Sequence, residues 1–168
     1  MYPPVRINEE QYGCGNRLSP QEAARVSLQW DRIRLPKEEF QRRQNAIRKR
    51  ICLEETCQLD CDETIRCRAG STTFWMTWDG KMQPCGTMPG PVAYPLEDGF
   101  CKAWKQIREQ TNLIRLPKQC ANCNMRPVCG VCAAVCVAET GKFDQVPEYK
   151  CEQTKESIRL ACEGENER

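Results

Sequence analysis

The 168-residue sequence predicts a small, irregular α+β fold: an N-terminal helical connector, then a β-hairpin and short helices organised around metal held by cysteine. Three observations carry that prediction. Fourteen cysteines stand in the chain, a density at which a short sequence reads as cross-linked by disulfides or metal. Histidine is absent, so any metal is held by thiolate, carboxylate or backbone, and Ser/His/Asp, Cys/His and mixed Cys/His zinc chemistries are excluded. Aromatic residues make up 7%, and apolar residues reach 40% only with the cysteines counted. The hydrophobic driving force is therefore thin, and the fold needs another staple.

Compartment separates disulfide from metal. The sequence has no apolar run long enough for a signal peptide or a membrane span, the first residues being proline-containing and charged, and its mean hydropathy is −0.68. A cytoplasmic, reducing location without a membrane partner is expected, and there thiols persist as ligands. The 25 basic and 23 acidic residues nearly cancel. Arg42, Arg43, Arg48, Lys49 and Arg50 gather on one predicted helix, but in a near-neutral chain they read as a solvated face with glutamates nearby, and no nucleic-acid partner is expected.

Residues 1–60 form a lead-in segment and connector. Pro3, Pro4, Gly13 and Gly15 break the first eighteen residues without a sustained period, so these read as irregular. Ser19, Pro20 and Glu22 then combine an N-cap, a proline at the first helical position and a capping-box glutamate. With Ala23, Val26 and Trp30 at helical spacing, they predict a helix from Pro20 to Ile33. Pro36 opens a second helix with Phe40, Ile47 and Ile51 on one face.

Residues 61–152 change character, and the apolar period drops to two. Phe74, Met76 and Trp78 alternate with Trp75 and Thr77, Asp79-Gly80 offers a type I′ turn pair, and Met82 continues a return strand toward Cys85. Pro89, Gly90, Pro91 and Pro95 mark a loop, and Phe100, Trp104 and Ile107 predict an amphipathic helix. From Pro117 to Cys136 the cysteine density argues against regular structure. A short charged helix, Cys151 to Ala161, leads into a tail that ends the 153–168 segment.

The sharpest pattern is Cys120-x2-Cys123-x5-Cys129-x2-Cys132, followed by Cys151. Two thiolates on one metal or cluster must converge within a few ångströms, and a two-residue gap lets one tight turn aim both. A lone CxxC is weak evidence, whereas two interlocked pairs are strong evidence for metal. Upstream stand Cys61-x5-Cys67 and, after the hairpin, Gly80-x4-Cys85.

On these residues the chain resembles the SPASM domain of radical S-adenosylmethionine enzymes that modify ribosomal peptides and sulfatases. That family carries a cysteine, Gly-x4-Cys, CxxC-x5-Cys-x3-Cys and a final cysteine. The match runs from Cys61 to Cys151, with the aromatic hairpin, the helix bearing Trp104, and Gly130 as further points of similarity. The resemblance implies that Cys61, Cys67, Cys85 and Cys132 hold one [4Fe–4S] cluster, and that Cys120, Cys123, Cys129 and Cys151 hold the other. The family has three residues before its fourth cluster cysteine where this chain has two, so Cys136 competes with Cys132 for that place. Cysteines 14, 52, 57, 101, 136 and 162 have no other counterpart and read as structural thiols.

Such enzymes cleave S-adenosylmethionine at a third cluster held by CxxxCxxC in a barrel. Cys57-xxx-Cys61 begins that spacing, but Thr64 occupies the third position, and the chain lacks the strand–helix alternation of a barrel. Residues 2–6 and 17–20 look like the stretch that follows the barrel in some relatives, so Met1 reads as an internal methionine of a longer protein. The resemblance thus implies an auxiliary-cluster module that is inactive alone, with a radical S-adenosylmethionine barrel in cis or trans and a peptide or protein substrate as partners. Sulfatase-maturing relatives have aspartate directly after the third cysteine of the first cluster. Gly86 stands here, which favours another modification such as thioether formation over formylglycine formation. Two further classes stay open on spacing: a structural zinc protein with all-cysteine sites, and a thiol redox protein using Cys120 and Cys123, for which a βαβ context is missing.

Overall fold

This computed structural model describes residues 5–7, 10–52, 63–121 and 123–164, and it is a small α+β protein in which helices dominate. Two short antiparallel pairs supply the strands: β1 (Val5–Ile7) with β2 (Glu10–Tyr12), and β3 (Trp75–Met76) with β4 (Met82–Gln83). The β1–β2 pair lies in the segment read as irregular, where the prolines and glycines masked its short period. Among the described residues no helix is long and apolar enough to cross a membrane.

Helix α1 (Pro20–Arg34) starts where the capping box demands. The Glu22 amide donates to the Ser19 hydroxyl at 3.2 Å, while the Glu22 carboxylate accepts from the Ser19 amide at 2.9 Å, satisfying two donors a helix start would otherwise orphan. Its buried residues are Ala23 and Ala24, whereas Trp30 is 64% exposed. Small side chains let α1 approach the C-terminal helix α7 (Glu148–Glu163) closely, and a tryptophan would have kept the two axes apart. Helix α2 (Lys37–Cys52) also packs on α7. Its basic residues are largely engaged: Arg42 and Arg43 pair with Glu39, Arg48 donates to Asn45 and to the Ala161 carbonyl, and Arg50 donates to the Pro127 carbonyl at 3.0 Å. The connector is therefore bound along the C-terminal half, and α7 runs unbroken through position 152.

The lead-in segment is bound there too. Arg17 forks onto Glu139 at 2.7 and 3.0 Å and stacks 3.6 Å over the Tyr149 ring. Gln11 donates to the Ala138 and Glu139 carbonyls, and the Tyr149 hydroxyl donates to the Leu18 carbonyl. Bidentate guanidinium–carboxylate pairs with a stacked ring fix orientation as well as distance.

The β3–β4 hairpin forms, but with a different turn from the one expected. The Gly80 amide donates to the Thr77 carbonyl at 3.1 Å and the Thr77 amide to the Lys81 carbonyl at 2.9 Å, so three residues, 78–80, make the loop. Gly80 sits at φ +81, where a type I turn followed by a left-handed residue closes the ladder. Met82 is fully buried and Trp78 is 99% exposed. The core side of the hairpin is thus β4: Met82 packs with Ala93, Ala103 and Ile107 beneath helix α4 (Phe100–Leu113), which follows the short α3 (Pro95–Asp98).

The second apolar cluster joins Met88, Ile114, Leu116, Ala133, Ala134 and Cys136. It forms around helix α6 (Ala133–Thr140), which follows the four-residue α5 (Lys118–Ala121). The expectation of no regular structure up to Cys136 is corrected by α6. Its alanines and valines form a buried helix, and Gly141 at φ +82 ends it by returning its amide to the Val137 carbonyl at 2.8 Å.

Candidate metal centre

Four of the predicted ligands gather from three elements. Cys120 lies on α5, and Cys123 and Cys129 bracket a double turn in which the Arg126 amide donates to the Cys123 carbonyl and the Cys129 amide to the Met125 carbonyl. These turns fold the cysteine-rich loop back on itself. Cys151 sits in the first turn of α7, where buried Pro147 starts the helix and its carbonyl accepts the Cys151 amide at 3.1 Å.

The thiols sense one another. Burial pushes the Cys120 thiol up, neighbouring Cys151, Cys129 and Cys123 add to the rise, and the Arg126 guanidinium opposes it. Cys151 is raised likewise by burial and then by Cys129 and Cys123. At Cys120 and Cys151 burial and like-charge neighbours both disfavour the bare thiolate, and a nearby cation offsets that cost. Arg126 supplies one positive charge beside them, held by donation to the Val131 carbonyl at 3.4 Å. Cys129 also touches a hydroxyl: its Sγ lies 3.4 Å from Oγ1 of Thr154, one turn beyond Cys151 on α7. Among the described residues no three Cys, Asp or Glu side chains converge on one point as a single ion would require. The four thiols share a neighbourhood rather than a centre.

The other predicted set is described in part. Cys61, with Cys57, lies outside the described residues. Cys67 is exposed, and Cys85, after β4, is half-buried with Sγ 3.5 Å from the Thr87 hydroxyl. Cys132 occupies the N-cap position of α6 without a side-chain bond to the helix, and Cys85 and Cys132 pack against the same apolar cluster. The Trp75 ring covers the backbone between hairpin and ligand loop, so that a Cβ at Gly86 would meet it at 3.1 Å.

Cys136 stands apart from these. It is fully buried within the apolar cluster, one turn into α6, and burial pushes its thiol up to about 12, helped by Cys120 and Cys132. Cys14, Cys101 and Cys162 are exposed.

Arg126, Thr154 and Thr87 are the neighbours that sequence reading passed over. Thr154 was within reach, because three residues beyond a helical ligand is the same face of the helix. Arg126 lies inside the cysteine loop, yet only the folded turn turns its charge toward the thiols. Comparison of the chain with models of protein families, with curated proteins and with solved structures finds no match.

Proposed function

We propose that the chain holds two [4Fe–4S] clusters, as an auxiliary-cluster module of a radical S-adenosylmethionine enzyme acting on a ribosomal peptide or protein, with the barrel in cis or trans. The observation that carries this reading is that Cys123, Cys129 and Cys151 all lie within electrostatic range of Cys120, and Cys123 and Cys129 within range of Cys151, although Cys151 is on a separate helix. An all-thiol donor set in a chain without histidine suits iron–sulfur ligation. Thiols around a shared neighbourhood suit a cluster, in which each binds a different iron, better than one ion.

When bound, such clusters supply electron transfer or an iron site for substrate. The chain's own part is to position and shield. Cys61, Cys67, Cys85 and Cys132 would hold the first cluster, with Cys85 and Cys132 set on the apolar cluster that backs them. Cys120, Cys123, Cys129 and Cys151 would hold the second, tying α5, the double turn and α7 into one unit. Arg126 offsets part of the accumulated thiolate charge. The Trp75 ring leaves little room for a side chain at Gly86, which supports a modification other than formylglycine formation.

Anaerobic expression followed by an absorption spectrum and iron, sulfide and zinc analysis tests the reading. Full loading gives about eight iron and about eight sulfide per chain, four of each per cluster. Stoichiometric zinc without iron would overturn it in favour of a structural zinc protein.

A further inference from the structure

We infer that Thr154 is a positioning residue that sets the reduction potential of the cluster held by Cys120, Cys123, Cys129 and Cys151. This inference rests on the reading of that group as a cluster site.

Thr154 is 6% exposed and sits on α7 one turn beyond Cys151, with Oγ1 3.4 Å from the Cys129 sulfur. Its single hydroxyl proton already has an acceptor, the Lys150 carbonyl, at 2.8 Å. A hydroxyl has one proton and two lone pairs, so while it donates to Lys150 it can only accept from the Cys129 thiol. That arrangement fits a protonated cysteine and fails for a ligand. Once Cys129 binds as a thiolate it has no proton to give, and lone pairs of the sulfur and of the buried Thr154 hydroxyl would face each other.

The relief is a rotation of the hydroxyl: its proton leaves the Lys150 carbonyl and points at the Cys129 sulfur. No bond to a heavy atom is made or broken. The new hydrogen bond is charge-assisted, and it strengthens as the cluster gains an electron and its sulfur becomes more negative. Stabilising the reduced form more than the oxidised form raises the potential. Charges stand beside the neighbouring thiols: Arg126 acts on Cys120 and Cys136 and Lys155 on Cys151, while Thr87 faces Cys85 in the other set and Thr154 places its hydroxyl at the Cys129 sulfur.

The experiment uses the full chain, anaerobically reconstituted with iron and sulfide, and reads the potentials of both clusters by electron paramagnetic resonance during stepwise reduction. Thr154→Val removes the hydroxyl and keeps the branched shape, and Thr154→Ser keeps the hydroxyl and drops the methyl. The expected result is a lower potential for one cluster in Thr154→Val, an unchanged potential for the other, and a value close to the unaltered protein in Thr154→Ser. An unchanged potential in loaded Thr154→Val overturns the inference, as does an equal shift in Thr154→Ser, which would mark a packing effect. If Thr154→Val does not load, resonance Raman of the unaltered protein and of Thr154→Ser decides, since iron–sulfur stretching bands that ignore exchange into D2O would refute a hydroxyl bond to sulfur. Failure of the underlying reading looks different: the unaltered protein would load no second cluster, or Cys151→Ala would keep all its iron.

Discussion

Replacing Cys132 and Cys136 one at a time separates a ligand from a core thiol four residues away. Cys136 is fully buried among Met88, Ile114, Leu116 and the α6 alanines, with its thiol pushed up from 9.0 to about 12. That rise corresponds to about 4 kcal/mol against ionisation, a cost a ligand role would have to offset. Cys120 and Cys151 are raised too, but without so large a shift. Cys132 is half-buried at the N-cap of α6, at the edge of the same apolar cluster that Cys85 touches. Cys136→Ala removes one sulfur from a packed core and should cost about 1–2 kcal/mol, read as a lower urea midpoint at unchanged slope. Its iron content should match the unaltered protein. Cys132→Ala should lose about four iron, one cluster's worth, while the resonance of the second cluster persists. Iron and sulfide counts with Mössbauer spectra of the two reconstituted variants make the comparison. Iron lost from Cys136→Ala and retained in Cys132→Ala would refute both the ligand assignment and the burial argument.

Gly70→Ala should be among the most damaging single-methyl additions: Gly70 holds φ +66, and a Cβ there would lie 2.3 Å from the Thr111 hydroxyl oxygen, itself buried and without a hydrogen-bond partner among the described residues. The expected loss is about 2–5 kcal/mol in urea unfolding, and a loss under about 0.5 kcal/mol would contradict the packing described. Acidification should destabilise the α1–α7 contact. Arg159 first, then Arg25, holds the Glu156 carboxyl below its ordinary 4.5. Its contribution is therefore present above that value and is lost as pH falls through the lower folded value; unfolding midpoints measured from pH 7 downward should fall less steeply in Glu156→Gln. Reduced protein given S-adenosylmethionine should release no 5′-deoxyadenosine, because the chain carries no CxxxCxxC motif; product above background would show that the domain content has been misread.

Local chemistry made much of this protein legible from its sequence. Ser19-Pro20-x-Glu22 fixes the start of α1 through bonds that close within four residues, and both bonds are found. Gly80 had to sit at the hairpin turn because only glycine takes that φ without strain, although the loop proved one residue longer than the Asp-Gly pair implied. The spacing from Cys120 to Cys132 identified a thiol-rich loop, since short gaps limit where sulfurs can go. The buried side of α4 was legible, since Ile107 and Trp104 of its apolar face meet the core, but the buried sides of α1 and of the hairpin were not. Trp30 and Trp78 carry large apolar surface yet face solvent, while Ala23, Ala24 and Met82 are covered, because a face is chosen by the partner that arrives and not by its own hydrophobicity. Helix α6 was hidden for a related reason: its alanines become helix core only when Met88, Ile114 and Leu116 are brought against them from other segments. The same holds at the candidate centre. Sequence supplied the thiols, but the approach of α7 brings Cys151 beside Cys120 and sets Thr154 on the Cys129 sulfur. Those contacts join residues far apart in the chain, and tertiary packing alone decides them.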